Sequence, residues 1–264
     1  MHESSDEHML ERILNNNEDL AAHNRDHFDA AGLLCINLMS APGAGKTSLL
    51  ERSLLDLSKH WQCSVIEGDM VGELDADRLR KLGVDVSQIS TGKSCHLDAQ
   101  MVARVLHSKA LDKLDYLFIE NVGNLVCPAD FPLGEHKRVV LLSVTEGDDK
   151  PLKYPVIFHN CDVVLFTKCD LLPYVNFSVA RATQYVQDLN PRAQCFAVSI
   201  VTGQGIDDWL NWLSSAYLQS QKNMPVSIYV MLICVYQFQP GLSPLTAEKQ
   251  WSMCIQSGDR FIWA

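Results

Sequence analysis

Two hydrophobic patterns alternate along the chain. Short runs rich in branched apolar residues read as strands with no polar face: Leu33–Met39, Ser64–Ile66, Val86–Ile89, Tyr116–Ile119, Val139–Val144, Val163–Phe166 and Phe196–Val198. Between most of them, Thr47–Leu57, Leu74–Leu82, Asp98–His107 and Phe177–Leu189 carry apolar residues at helical spacing. Strands apolar on both sides belong in a parallel sheet covered twice, and strand–helix alternation supplies the covers. The pattern predicts an α/β fold with a mostly parallel central sheet of about seven strands and helices on both faces. No full helix is expected between the Tyr116 and Val139 strands.

The ends differ from this body. Residues 1–31 are polar with apolar positions Met9, Ile13 and Leu20, which predicts an N-terminal arm or helix packed lightly on the body and ended by Gly32. Residues 32–220 form the expected single domain. Residues 221–264 are an atypical tail whose stretch 224–238, MPVSIYVMLICVYQF, lies between Pro225 and Pro240. At about 15 residues it is shorter than the roughly 20 a membrane helix needs, so a strand or docked segment is expected there.

Charge and cysteine content narrow the class. Twenty-two basic against 32 acidic residues, a net charge of −10, argue against a nucleic-acid surface. Nine cysteines, dispersed and odd in number, do not make a disulfide framework. The opening MHESSDEHMLERILNNNEDL has no signal-peptide pattern, so a cytoplasmic protein with reduced thiols and no membrane partner is expected.

The strongest local motif is Ser40-Ala41-Pro42-Gly43-Ala44-Gly45-Lys46-Thr47, between a strand and a helix. Glycines let backbone N–H groups approach phosphate oxygens, and the helix start adds a favourable dipole. Pro42, Gly43, Ala44, Gly45 and Ser48 would cradle the phosphates, with Lys46 on the β- and γ-phosphates and the Thr47 hydroxyl on Mg²⁺. Ser40 replaces the usual first glycine. Thr167-Lys168-Cys169-Asp170 follows an apolar run, as a guanine-reading motif follows its strand. Asp170 would accept from the guanine ring N–H and amine, Lys168 would brace the phosphate loop, and Ser199 and Ile200 would form a third base-contacting loop. GTP is thus favoured over ATP. Asp69 and Glu120, each ending a strand, are candidates to hold Mg²⁺ and support catalysis with Lys46 and Thr47, and the Gly123 N–H would lie near the γ-phosphate.

Ser94-Cys95-His96 has two readings. Ser94 can cap a helix beginning near Leu97, leaving an incidental cysteine and histidine, or the pair can ligate a soft metal.

The segments APGAGKT, VIEGDM, TGKSCHLDAQMV, IENVGNLVCPADFPLGEHKRV, SVTEGDDKPLKYPVIF, TKCDLLPYVNF and VTGQGIDDWLNWL resemble the HypB family, in order, from about residue 20 to residue 213. These are P-loop GTPases that assist nickel insertion into nickel–iron hydrogenase. The resemblance implies a homodimer formed with GTP and metal, and Ni²⁺ or Zn²⁺ held at its interface by Cys95, His96 and Cys127. It also implies slow, Mg²⁺-dependent GTP hydrolysis to GDP, a small zinc-containing nickel chaperone as partner, and the hydrogenase large-subunit precursor as client. The chain departs from some members: no CxxCGC motif or histidine-rich store precedes Cys35, although His23 and His27 can share a helix face. Thr167 stands where Asn is usual, and should weaken one loop-bracing hydrogen bond. A related GTPase serving urease or a cobalamin enzyme, and a metal store with a vestigial nucleotide site, remain as rivals.

Overall fold

The computed structural model describes residues 3–69, 74–92 and 94–221, so the expectation for the tail lies outside the described residues. Seven strands form one sheet: β1 Leu34–Ser40, β2 Cys63–Asp69, β3 Asp85–Ser90, β4 Tyr116–Glu120, β5 Lys137–Ser143, β6 Val163–Thr167 and β7 Gln194–Ala197. Their order is β3-β2-β4-β1-β5-β6-β7, and every described pairing is parallel. The seven expected strands are all present, and the sheet is wholly parallel instead of mostly so.

The helices are α1 Glu3–Ala31, α2 Lys46–Leu57, α3 Leu74–Arg80, α4 Ala99–Leu106, α5 Lys150–Lys153, α6 Pro155–His159, α7 Val179–Leu189 and α8 Ile206–Ser220. Leu34, Ile36 and Leu38 of β1 bury one sheet face under α2 and α8, while Cys35 and Met39 bury the other. Both faces are therefore dry, which explains the uninterrupted apolar strand segments. The sequence reading names no helix at 206–220, yet Ile206, Trp209, Leu213 and Tyr217 repeat at helical spacing and all point into the core. Among the described residues no helix is long and apolar enough to cross a membrane.

The N-terminal helix corrects an expectation. Met9 and Ile13 are exposed, and the buried stripe is Asn17, Ala21, Asn24 and Phe28. Asn17 accepts from the Ala99 backbone N–H and donates to the Pro132 carbonyl, both at 2.8 Å. Asn24 Nδ2 donates to the carbonyls of Ala99 at 2.9 Å and Leu133 at 3.0 Å. Phe28 joins Leu33, Cys35, Leu117 and Leu133 in a core cluster. Between β4 and β5 there is only a one-turn 3₁₀ segment, Cys127–Ala129, as the sequence implies. α1 covers this part of the sheet where a crossover helix would normally lie, so it is tightly docked, and polar groups do much of the fastening.

Candidate functional site

At the carboxyl ends of β1, β2, β4 and β6 a cavity of about 530 Å³ opens, the place where ligands meet an open parallel sheet. The loop after β1 forms its floor. Gly43 and Gly45 adopt φ of 73° and 101°, a left-handed backbone that turns successive N–H groups inward and that a side chain would strain. Lys46 is buried, and its Nζ donates to Ser40 Oγ at 3.1 Å, so the serine in place of a glycine parks the amine. Burial lowers the Lys46 pKa, opposed by the carboxylates of Glu120, Asp75, Glu67 and Asp69. Gly123 packs against Pro42 so closely that a Cβ would stand 2.9 Å from the Pro42 Cα, bringing the loop after β4 onto the phosphate loop.

Thr47 Oγ1 donates to Glu120 Oε1 at 2.7 Å. Glu120 pairs in register with Glu67 of β2, so two carboxylates lie side by side in the sheet's end. Burial, then repulsion from Glu120, pushes Glu67 up to about 8. Burial likewise raises Glu120 to about 7, against the pull of Lys46 and of the Thr47 hydrogen bond. Oε2 of each is buried without a hydrogen-bond partner. Two orphaned carboxylate oxygens beside a threonine hydroxyl fit a hard divalent cation such as Mg²⁺, whose ligands are oxygens. Glu67 belongs to the strand-end segment Glu67-Gly68-Asp69 but has no ligand role in the sequence reading, and Asp75 and Arg78 of α3, which also line the cavity, are not expected there from sequence at all. Glu67 had a usable signal, its place at the end of a strand; α3 had none beyond an ordinary charged helix face.

These raised carboxyls make a pH prediction. They hold protons near neutrality that a bound cation displaces, so Mg²⁺–nucleotide binding should release protons and tighten as pH rises from about 6 to 8. Calorimetry in buffers of different ionisation enthalpy would read this, and net proton uptake would refute it. The ligand-free fold responds in the opposite sense. The stability these two groups contribute is full below their ordinary value of 4.5 and is lost as pH rises through about 7 and about 8.

Beyond the cavity lies the loop after β6. Thr167 Oγ1 donates to the Ala44 carbonyl and Lys168 Nζ to the Gly43 carbonyl, each at 2.7 Å. Threonine therefore makes a bracing hydrogen bond to the phosphate loop. Ser199 Oγ donates to Asp170 Oδ1 at 2.6 Å, holding the carboxylate at the loop's edge. Asp170, Ser199 and Ile200 stand outside the phosphate cavity, and Ile200 packs partly against the core.

A second constellation joins the two loops flanking this site. Cys95, His96 and Cys127 place one donor atom each within 4.8 Å of one another. Cys95 Sγ donates to Cys127 Sγ at 2.9 Å and lies 3.9 Å from His96 Nδ1. The Cys127 hydrogen bond, then burial, raises the Cys95 pKa; burial lowers that of His96, favouring the neutral, ligand-competent imidazole. The His96 ring stacks on Phe131 with centroids 4.0 Å apart. Ser94 does not cap α4: Asp98 does, accepting from the Met101 N–H at 2.7 Å, while Ser94 Oγ donates to the His96 carbonyl. The Cys-His pair thus sits in a turn ahead of the helix, pointing at Cys127. Cys35, Cys63, Cys161 and Cys169 are buried, and Cys195 is half-buried.

Residues 34–197 match the family model described as CobW/HypB/UreG, nucleotide-binding domain. The chain is 49% identical over 203 residues to the hydrogenase maturation factor HypB of Escherichia coli, covering 77% of this chain and 70% of that protein. It is 44% identical over 209 residues to the hydrogenase/urease maturation factor HypB of Helicobacter pylori, covering 78% and 86%. The crystal structure of Helicobacter pylori HypB in complex with nickel superposes with a TM-score of 0.73 at 41% identity, over 78% of this chain and 97% of that one. HypB from Archaeoglobus fulgidus superposes with a TM-score of 0.73 at 39% identity, over 77% and 99%.

Proposed function

The chain belongs to the CobW/HypB/UreG family and to its HypB members, and from that premise we propose that it is a GTP-hydrolysing metallochaperone that binds nickel at a homodimer interface and assists nickel insertion into nickel–iron hydrogenase. GTP is the substrate. The backbone of residues 42–47 cradles its phosphates, Lys46 carries the β- and γ-phosphate charge, and Asp170, held by Ser199, reads guanine. Thr47, Glu67 and Glu120, with Asp69 at the same strand end, would hold Mg²⁺, which would supply charge neutralisation to the phosphates. Gly123, fixed against Pro42, presents its N–H to the γ-phosphate. Hydrolysis on this reading depends on positioning and phosphate neutralisation, so turnover is slow without a partner.

The observation that carries the reading is the convergence of Cys95, His96 and Cys127 on loops continuous with the nucleotide cavity. Thiolate and imidazole suit Ni²⁺ and Zn²⁺, and three donors from one chain leave a fourth position that a second copy can supply. GTP then favours the closed, metal-loaded dimer, and hydrolysis releases it. A small zinc-containing nickel chaperone delivers or receives the ion, and the hydrogenase large-subunit precursor is the destination. Urease maturation is the second reading, because the Helicobacter pylori relative is named for both enzymes.

The test is a Ni²⁺ titration with GDP and with a non-hydrolysable GTP analogue, reading mass in solution. The expected result is a nickel-loaded dimer with the analogue that fails to form in Cys95→Ala. Nickel uptake indifferent to both nucleotide and Cys95 would refute the proposal.

A further inference from the structure

His23 and His27 stand one helical turn apart on α1, exposed, with their Nε2 atoms 3.2 Å apart. Two imidazole nitrogens about 2.05 Å from one ion stand about 2.9 Å apart at a right angle and about 3.3 Å apart at the tetrahedral angle. The observed separation lies between those values. Across a cavity of about 60 Å³ lies a third histidine, His107, at the C-terminal end of α4. That volume has room for an ion and one or two waters.

A residue of the cavity wall also carries an unexplained polar atom. This residue, Asn24, is fully buried. Its Nδ2 donates to two carbonyls, Ala99 and Leu133, which settles the orientation of the amide. Its Oδ1 has no hydrogen-bond partner. A buried, unpartnered carbonyl oxygen costs about 1–3 kcal/mol unless something satisfies it. Asn24 lines the same small cavity as His23, His27 and His107.

We propose that His23, His27 and His107 form a second divalent-metal site at the seam between α1 and α4, with Asn24 Oδ1 satisfied by the ion or by a water on it. The donor set is imidazole with a neutral oxygen and no thiolate. It selects borderline ions such as Ni²⁺, Zn²⁺ or Cu²⁺ over Mg²⁺ and Ca²⁺, which take oxygen ligands. His107 closes on the ion by rotation of its exposed side chain. The bound ion ties the middle of α1 to the end of α4, whose start Asn17 and Asn24 already hold through Ala99. The site is independent of the interface cysteines and of the nucleotide.

The test uses the full chain carrying Cys95→Ser and Cys127→Ser, which silences the thiolate cluster, titrated separately with Zn²⁺ and with Ni²⁺. One equivalent should bind, and Ni²⁺ should broaden the imidazole proton resonances of His23, His27 and His107. Adding His23→Ala and His27→Ala should weaken that equivalent more than about 100-fold, beyond the roughly 10–100-fold that outer-shell changes cost. Both residues are exposed, so the circular dichroism and GTP turnover of His23→Ala, His27→Ala protein with its cysteines intact should match the unaltered chain. A cysteine-substituted protein that binds no equivalent overturns the proposal. So does an equivalent that survives loss of His23 and His27.

Discussion

Lys46→Ala should lower GTP turnover by about 100- to 1,000-fold or more, the range over which single preorganised charge-stabilising donors act. Three cations line the phosphate cavity among the described residues, and two are committed elsewhere. Lys168 Nζ is given to the Gly43 carbonyl. Arg78 pairs with Glu51 and Asp75. Lys46 alone rests on a neutral hydroxyl, Ser40 Oγ, from which a phosphate oxygen can take it at little cost. Its removal acts twice. The phosphates lose their cation, and Glu67 and Glu120, both pulled down by the Lys46 charge, shift further towards the protonated state that cannot hold Mg²⁺. Single-turnover hydrolysis measures the first effect, and loss of the stabilisation that GTP gives the fold against heating measures binding. Nickel uptake without nucleotide should survive, since Lys46 touches none of Cys95, His96 and Cys127. Turnover within tenfold of the unaltered chain would place hydrolysis elsewhere, and would revive the reading in which the protein is a metal store.

The sheet was legible because its inner strands are apolar on both faces, a requirement that only a doubly covered parallel sheet imposes. Strand ends then pointed to Asp69, Glu120 and the phosphate loop. What stayed hidden depends on contacts between distant segments. Asn17 and Asn24 look like solvent-facing residues in sequence, and only the opposing carbonyls of Pro132, Ala99 and Leu133 make them anchors. Met9 and Ile13 suggested a packing face where the body does not reach. The brace that Thr167 makes could not be read from sequence because its target, the Ala44 carbonyl, lies 123 positions away. Cys95-His96 was ambiguous for the same reason: its meaning comes from Cys127, which folding brings within 2.9 Å.

Asn121→Ala should abolish the dependence of nickel affinity on nucleotide while leaving both ligands able to bind. Asn121 follows Glu120 and lines the phosphate cavity. Its Oδ1 accepts from the Val122 N–H at 2.9 Å and from the Leu97 N–H at 3.1 Å, the residue after His96. The Leu97 side chain is seated against Gly68, where a Cβ would come within 2.7 Å of it. Asn124 Nδ2, in the same loop as Cys127, donates to the Cys95 carbonyl at 3.2 Å. A shift of residues 120–123 towards a γ-phosphate therefore moves the Cys-His turn and the Cys127 loop as one piece. Typical couplings between sites change affinity by about 5- to 150-fold, and the nickel affinities with GTP analogue and with GDP should differ by a factor in that range. In Asn121→Ala the ratio should fall to within about twofold, because the Leu97 N–H has lost its acceptor and the turn no longer follows the strand. Gly68→Ala should reduce the ratio by a different route, displacing Leu97 while Asn121 is intact. An undiminished ratio in both variants would mean that nucleotide reaches the metal through the neighbouring subunit, not through this loop.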